Sequence, residues 1–400
     1  MARAFLIVMD SVGIGGAPDA GNFFSGGVPD TGANTLAHIA RAVGGLSMPN
    51  LDRLGLGAAV SLASGEKVVG LDATPEGLWG AATEASAGKD TPTGHWEIAG
   101  VPLPFEWTTF PDRTPTFPDD LTRALAQAAG TEGILGNCHA SGTEIIDRLG
   151  AEHLRTGWPI CYTSADSVVQ IAAHEDAFGL DRLLDLCATV APLVHDMRVG
   201  RVIARPFIGT PGSFARTSNR RDLAVPPPAD TILDSATAAG RVTHAVGKIG
   251  DIFSHRGITH LHKGKSDADL ANHLIRLADE AEDGSLTFAN LVEFDSLWGH
   301  RRDPLGYARA LEWFDTQAGV FMSRLRPGDL AIFTADHGND PTWAGTEHTR
   351  ERVPVLGFGV GTRAVGQVGF SDIGATVLDH LDVQHVGHGK SVLRVAKDRA

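Results

Sequence analysis

Apolar residues along this chain follow two rhythms. Short unbroken apolar runs alternate with longer stretches in which apolar positions recur every three or four residues, the pattern of an α/β fold with a mostly parallel sheet. The run AFLIVMD at 4–10 is too continuous for a strand with one wet face, and predicts a buried strand. TLAHIARAVGG at 35–45 predicts a helix ended by glycines. In the C-terminal half the alternation is regular. A helix is expected at 269–284, a strand at 286–295, a helix at 305–325, strands at 329–338 and 353–361, and a helix at 371–381.

The middle breaks this rhythm. Residues 101–120 are rich in proline with little periodicity, a shorter mixed set of elements follows, and AVPPPAD at 224–230 closes it. This organisation predicts a smaller α/β domain at 102–225, inserted into a discontinuous core of 1–101 and 226–400. The chain's 400 residues suffice for two or three domains.

Charge and cysteine content narrow the setting. A formal net charge of −14 speaks against nucleic acid and other polyanions as partners. A small phosphorylated substrate needs only a few local cations. Three cysteines with no CxxC pair fit free thiols in a reducing compartment. The apolar run at 4–9 ends at Asp10, too short for a signal peptide, and no stretch approaches the ~20 apolar residues of a membrane span. The expectation is a cytoplasmic chain that needs no membrane and no obligate protein partner.

Chemistry gathers where the apolar runs end. AFLIVMD ends in Asp10, ANLVEFD in Asp295, and AIFTAD in Asp336 followed by His337. In open α/β sheets, ligands collect at the carboxyl ends of the strands. One such Asp is ordinarily a turn or cap residue. Three of them, with His300 in DSLWGH and His348 in DHGNDPTWAGTEH, supply three carboxylates and three imidazoles. That donor set suits a pair of borderline-hard divalent ions with positions open to phosphate oxygens. GKDTPTGHWEIAG at 88–100 offers two hydroxyls, Thr91 and Thr93, around Pro92. Either is a candidate nucleophile, and either could equally be a helix cap. VGIGGAP resembles a dinucleotide fingerprint, but Pro18 stands at the third glycine position. GHGKS at 387–391 lacks the first glycine of a phosphate-binding loop, Gln384 standing in its place.

Taken together, VMDSVGIGGAPDA, KDTPTGHWE, YTSADSV, GRVIARPF, FARTSNRRD, VGKIGDIF, FDSLWGHRRD, TADHGNDPT and GTEHTRERVPVL resemble the phosphopentomutases of the alkaline phosphatase superfamily along nearly the whole chain. The resemblance implies an alkaline-phosphatase-like core with an inserted cap. It implies one Mn²⁺ on Asp10, Asp336 and His337 and a second on Asp295, His300 and His348, other divalent ions being possible. It implies Thr91 as carrier of the phosphoryl group, primed by a sugar bisphosphate activator. Ser164 and Asp166 would contact the sugar hydroxyls of a pentose phosphate, and Arg201, Ile203, Arg216 and Lys248 would line the rest of its site. The implied reaction moves phosphate between positions 1 and 5 of ribose or 2-deoxyribose through a 1,5-bisphosphate. A metal-dependent phosphatase of the same superfamily is the alternative.

Overall fold

Six consecutive apolar residues, all buried, form strand β1 (Ala4–Met9). Burying a side chain of this kind contributes about 1.5–3 kcal/mol, and β1 has a strand on each edge because it lies inside a sheet. In the computed structural model, which describes residues 1–164, 167–384 and 387–393, the sheet's other strands are β2 (Leu78–Thr83), β3 (Thr243–Val246), β4 (His260–His262), β5 (Leu286–Leu291), β6 (Leu330–Thr334), β7 (Val353–Phe358) and β8 (Arg363–Gly369). Their order is β4-β3-β5-β1-β6-β7-β2-β8. Every neighbouring pair is parallel except those involving β7, which runs against both β6 and β2.

Helices follow the apolar periodicity. Helix α1 (Thr35–Val43) is capped by Asn34, whose side chain accepts from Ala37 N, and stops at Gly44 with φ 86°. That left-handed conformation suits glycine. Helices α2 (Thr91–Ile98), α3 (Asp267–Glu280), α4 (Pro304–Met322) and α5 (Phe370–His380) complete the frame used below. None of the described helices is long and apolar enough to cross a membrane.

The chain divides into two units, 1–105 with 226–400, and 106–225. The sequence placed the first junction at 101/102, short of this division. The difference has a local cause: Ala87 N donates to Leu103 O and Leu103 N to Ser86 Oγ, which ties the extended segment to the core. The inserted unit has its own mixed sheet, with strands at Leu135–His139, Ile160–Thr163, Val168–His174, Arg201–Ile208 and Arg221–Ala224. One face packs on the helices Asp119–Ala129 and Leu180–Asp196 through Val169, Ile171, Val202 and Ala204. Part of the other face packs on Gly142–Thr156 through Tyr162, Ala172 and Phe207.

Candidate metal centre and nucleophile

The register of β1 sets Met9 level with Leu291 of β5 and Val8 level with Thr334 of β6. Three adjacent parallel strands therefore end together, and the loops after them deliver Asp10, Asp295 and Asp336. The delivery differs in detail from the simple strand ending expected. β5 stops at Leu291, and Asp295 rides on a wide helical turn, Phe294–Gly299. Ser11, with φ 68°, bends the chain sharply after Asp10. Its N–H donates to Asp336 Oδ1 at 3.0 Å, and its hydroxyl pairs with Tyr307 OH at 2.8 Å.

The six expected ligands lie together. His337 Nε2 is 3.5 Å from Asp10 Oδ1 and 3.3 Å from Asp336 Oδ2. His300 Nε2 is 3.0 Å from Asp295 Oδ2, and His348 Nε2 is 3.3 Å from Asp295 Oδ1. Among the described residues, the sets that bring three donor atoms within 4.8 Å of one another are Asp10, Asp336, His337 and Asp295, His337, His348. His337 thus stands between the halves, its ring stacked 3.8 Å from that of His348.

Whether these residues suit cations can be judged from their hydrogen bonds. Each of the three imidazoles commits Nδ1 to a backbone carbonyl: His300 to Thr346, His337 to Gly338 and His348 to Lys89. Nδ1–H donates, so Nε2 is left as a lone pair in every ring. The Nε2 atoms of His300 and His348 face each other at 3.2 Å. Asp10 Oδ1 and Asp336 Oδ2, both buried, accept no hydrogen bond. Burial, with the charges of Asp336 and Asp295, pushes the Asp10 carboxyl well above its ordinary range. Burial also pulls His337 down to about 4, which keeps it a neutral donor. Inward lone pairs and buried carboxylate oxygens without donors are costly unless positive charge lies among them. The set fits two divalent ions.

Thr91 opens helix α2 beside this cluster, with Oγ1 3.2 Å from His337 Nε2. The two hydroxyls are placed differently. Asp90 is the cap: its carboxylate accepts from Thr93 N at 3.1 Å and Thr93 Oγ1 at 2.7 Å. Thr93 is thereby occupied and Thr91 is left to face the cluster. A Cβ on Gly94 would lie 2.1 Å from the Asp336 carbonyl oxygen, so glycine is what lets α2 approach this closely.

Comparison with known proteins gives the lineage. The family model described as "Metalloenzyme superfamily" matches residues 2–385. A phosphopentomutase of Sinorhizobium medicae is 55% identical over 412 residues, covering 98% of this chain and 100% of the relative. Another, from Chelativorans sp., is 55% identical with 98% of each chain covered. The chain belongs to the phosphopentomutase family. Its core is accordingly an alkaline-phosphatase-like metalloenzyme fold. Among solved structures, the PH0037 protein of Pyrococcus horikoshii aligns over 97% of this chain and 99% of its own at 14% identity and TM-score 0.49. A Leishmania mexicana phosphoglycerate mutase aligns over 97% of both at 12% identity and the same TM-score.

The other residues expected to serve this phosphopentomutase-family chain are spread over both units. Lys248 follows β3 in the core, and its charge counts among those acting on Asp10. Ser164, Arg201, Ile203 and Arg216 belong to the inserted unit. Alternation along Arg201–Ile208 puts Arg201, Ile203 and Arg205 on one face, where Gln170 accepts from Arg205 Nε at 3.0 Å. Asp166 lies outside the described residues. Sequence reasoning missed three supports of the metal cluster. Asn290 Nδ2 donates to Asp10 Oδ2 at 2.9 Å. Buried His95 donates from Nδ1 to Thr91 O at 2.9 Å, with Asp336 Oδ2 3.1 Å away. Asn339 Nδ2 donates to Asp295 Oδ1 at 2.6 Å. His95 stands inside the quoted GHWE motif, four residues from Thr91, and that spacing was the available signal.

Proposed function

We propose that this protein interconverts the 1- and 5-phosphates of ribose or 2-deoxyribose, with Thr91 carrying the phosphoryl group in transit. The observation that carries the reading is the Thr91 hydroxyl at 3.2 Å from His337, at the junction of the two ligand sets. The 55% identity to proteins named phosphopentomutase supports the substrate class.

In this reading Asp10, Asp336 and His337 hold one Mn²⁺ and Asp295, His300 and His348 the other, with other divalent ions able to take their place. When bound, such ions lower the pKa of the Thr91 hydroxyl and neutralise charge on the transferring group. Thr91, primed by a sugar bisphosphate, donates its phosphoryl group to the free hydroxyl of the pentose monophosphate. The Thr91 Oγ–P bond breaks, a new P–O bond forms on the sugar, and the sugar hydroxyl loses its proton. The resulting 1,5-bisphosphate returns its other phosphoryl group to Thr91, and the vacated sugar oxygen regains a proton. Atoms balance, and the enzyme ends as it began.

Helix α2 aids each transfer by presenting its N-terminal end to an anionic group. His95 fixes the Thr91 carbonyl, and Asn290 and Ser11 orient Asp10 and Asp336. Lys248, Arg201, Arg216, Ile203, Ser164 and Asp166 are assigned to the pentose phosphate, guanidinium forks suiting its non-reacting phosphate. The free thiols of Cys138, Cys161 and Cys187 support a cytoplasmic setting.

Phosphorus NMR with Mn²⁺, ribose 1-phosphate and a trace of sugar bisphosphate tests the reading. A growing ribose 5-phosphate signal at constant total sugar phosphate is expected. Growth of inorganic phosphate in its place would make the protein a phosphatase on the same scaffold.

A further inference from the structure

A second group of histidines lies at the edge of the core sheet. Strand β4 reads His260-Leu261-His262, and residues two apart on a strand project from the same face. Its parallel neighbour β3 pairs His244 with His260, so three imidazoles share one face of a two-strand edge. His244 is buried, His262 half-buried and His260 exposed. His244 Nδ1 and His262 Nε2 stand 3.0 Å apart, and the ring of His260 stacks on that of His244 with centroids 5.2 Å apart.

Tautomers follow from the partners. Glu282 Oε2 lies 2.8 Å from His244 Nε2, so that nitrogen carries the proton and Nδ1 presents a lone pair toward His262. A carboxylate behind an imidazole is the usual support of a metal-ligating histidine, fixing the ring and raising its basicity. Three imidazoles with one open position form a recognised donor set for zinc. We propose that His244, His260 and His262 form a separate site for a borderline divalent ion of the zinc or nickel class, with Glu282 as the support of His244.

Two of the three nitrogens already stand at the spacing of neighbouring ligands on one ion. The third arrives when the exposed His260 ring turns out of its stack. Loading moves the His262 proton from Nε2 to Nδ1, so the ring stays neutral and no proton is released. Arg276, whose Nη2 lies 3.5 Å from His262 Nδ1, then turns to Glu280, 3.8 Å from its Nε. Burial and nearby positive groups hold His262 down at about 4, which leaves it unprotonated and able to ligate at neutral pH. The ion would clip β4, an edge strand of three residues, to β3.

Zinc alone is the probe. The full-length protein, stripped by chelator, is titrated with Zn²⁺ against a chromophoric competitor, alongside a His260→Ala/His262→Ala double variant. The wild type is expected to bind one equivalent more than the variant, with a Zn²⁺-dependent rise in Tm that the variant loses. Ions held at Asp10, Asp295 and Asp336 are common to both proteins and cancel in the difference. Equal stoichiometry would overturn the proposal. Glu282→Gln should keep the extra equivalent and weaken it about 10–100-fold; unchanged affinity would remove Glu282 from its role. If circular dichroism shows the double variant unfolded, His260→Ala decides. Loss of the equivalent sustains the three-histidine set, and its full retention overturns it.

Discussion

Two histidine clusters in one core unit are built from the same imidazoles and reach opposite balances. At the ends of β1, β5 and β6, three buried carboxylates crowd three imidazoles, and the hydrogen bonds do not close: Asp10 Oδ1 and Asp336 Oδ2 have no donor. At the β3–β4 edge a single carboxylate, half-exposed Glu282, serves His244. There the bonds run on from Glu282 through His244 and His262 toward Arg276. The first cluster is incomplete without positive charge, whereas the second stands as it is and gains from an ion only in addition. Carboxylate count and burial, more than the number of histidines, distinguish a site that requires its cations from one that accepts them.

The contrast can be broken most severely at Thr91. Thr91→Ala should lower mutase turnover to background, a loss on the order of 10⁴-fold or more, while bound manganese stays at the wild-type level by elemental analysis. Turnover persisting in that variant would remove Thr91 from its role. Asp336→Ala should lose metal and activity together, because it deletes a carboxylate from the core of the cluster. A variant that stayed active with a full metal complement would refute the ligand assignment. Chelation gives a milder perturbation. Ions present at a thousandfold excess over their Kd stabilise the fold by about 4 kcal/mol per site, so stripping them should lower Tm, and re-adding Mn²⁺ should restore it. An unchanged Tm would mean that the carboxylate cluster tolerates its own charge.

The smallest effect belongs to the edge cluster and is set by pH. His262 titrates at about 4 in the fold against 6.5 when free, so the unfolded chain binds its proton first as pH falls. Its contribution to stability is therefore full above about pH 6.5 and lost as pH falls through about 4. Tm of the wild type should fall more steeply across that window than Tm of His262→Gln. Parallel slopes would show that the ring is not held neutral by its surroundings.

Much of this core was legible in the chain. The apolar runs that became β1, β5, β6 and β7 are continuous enough to announce buried strands, and the aspartates closing the first three pointed to the candidate site. β3 and β4 escaped notice because four and three residues interrupted by histidines carry no strand periodicity. Residue types alone could not tell Thr91 from Thr93, since either hydroxyl can cap a helix; the structure has Asp90 capping and bonding Thr93, with the Thr91 hydroxyl beside His337. Asn290, Asn339 and Tyr307 were invisible for another reason. Asn290 and Asn339 act on candidate ligands, and Tyr307 on Ser11, all far away in sequence, and only the packing of strands and loops brings them into contact. Asp295 lies beyond a strand shorter than its apolar run suggested, because a helical turn takes over after Leu291 and aims the carboxylate.

The position of β1 between β5 and β6 has a consequence for how the protein is made. β1 leaves the ribosome before every other strand of its sheet yet belongs in the middle of that sheet, and its neighbours begin at Leu286 and Leu330. At synthesis rates of about 5–20 residues per second, the nascent chain must carry this apolar segment unpaired for roughly 15 seconds to a minute. Over the same interval, Asp10 and Thr91 wait for the residues that complete their surroundings, the last of them His348. β1 is therefore the segment a chaperone would need to shield, and the candidate metal cluster is whole only once His348 has been made.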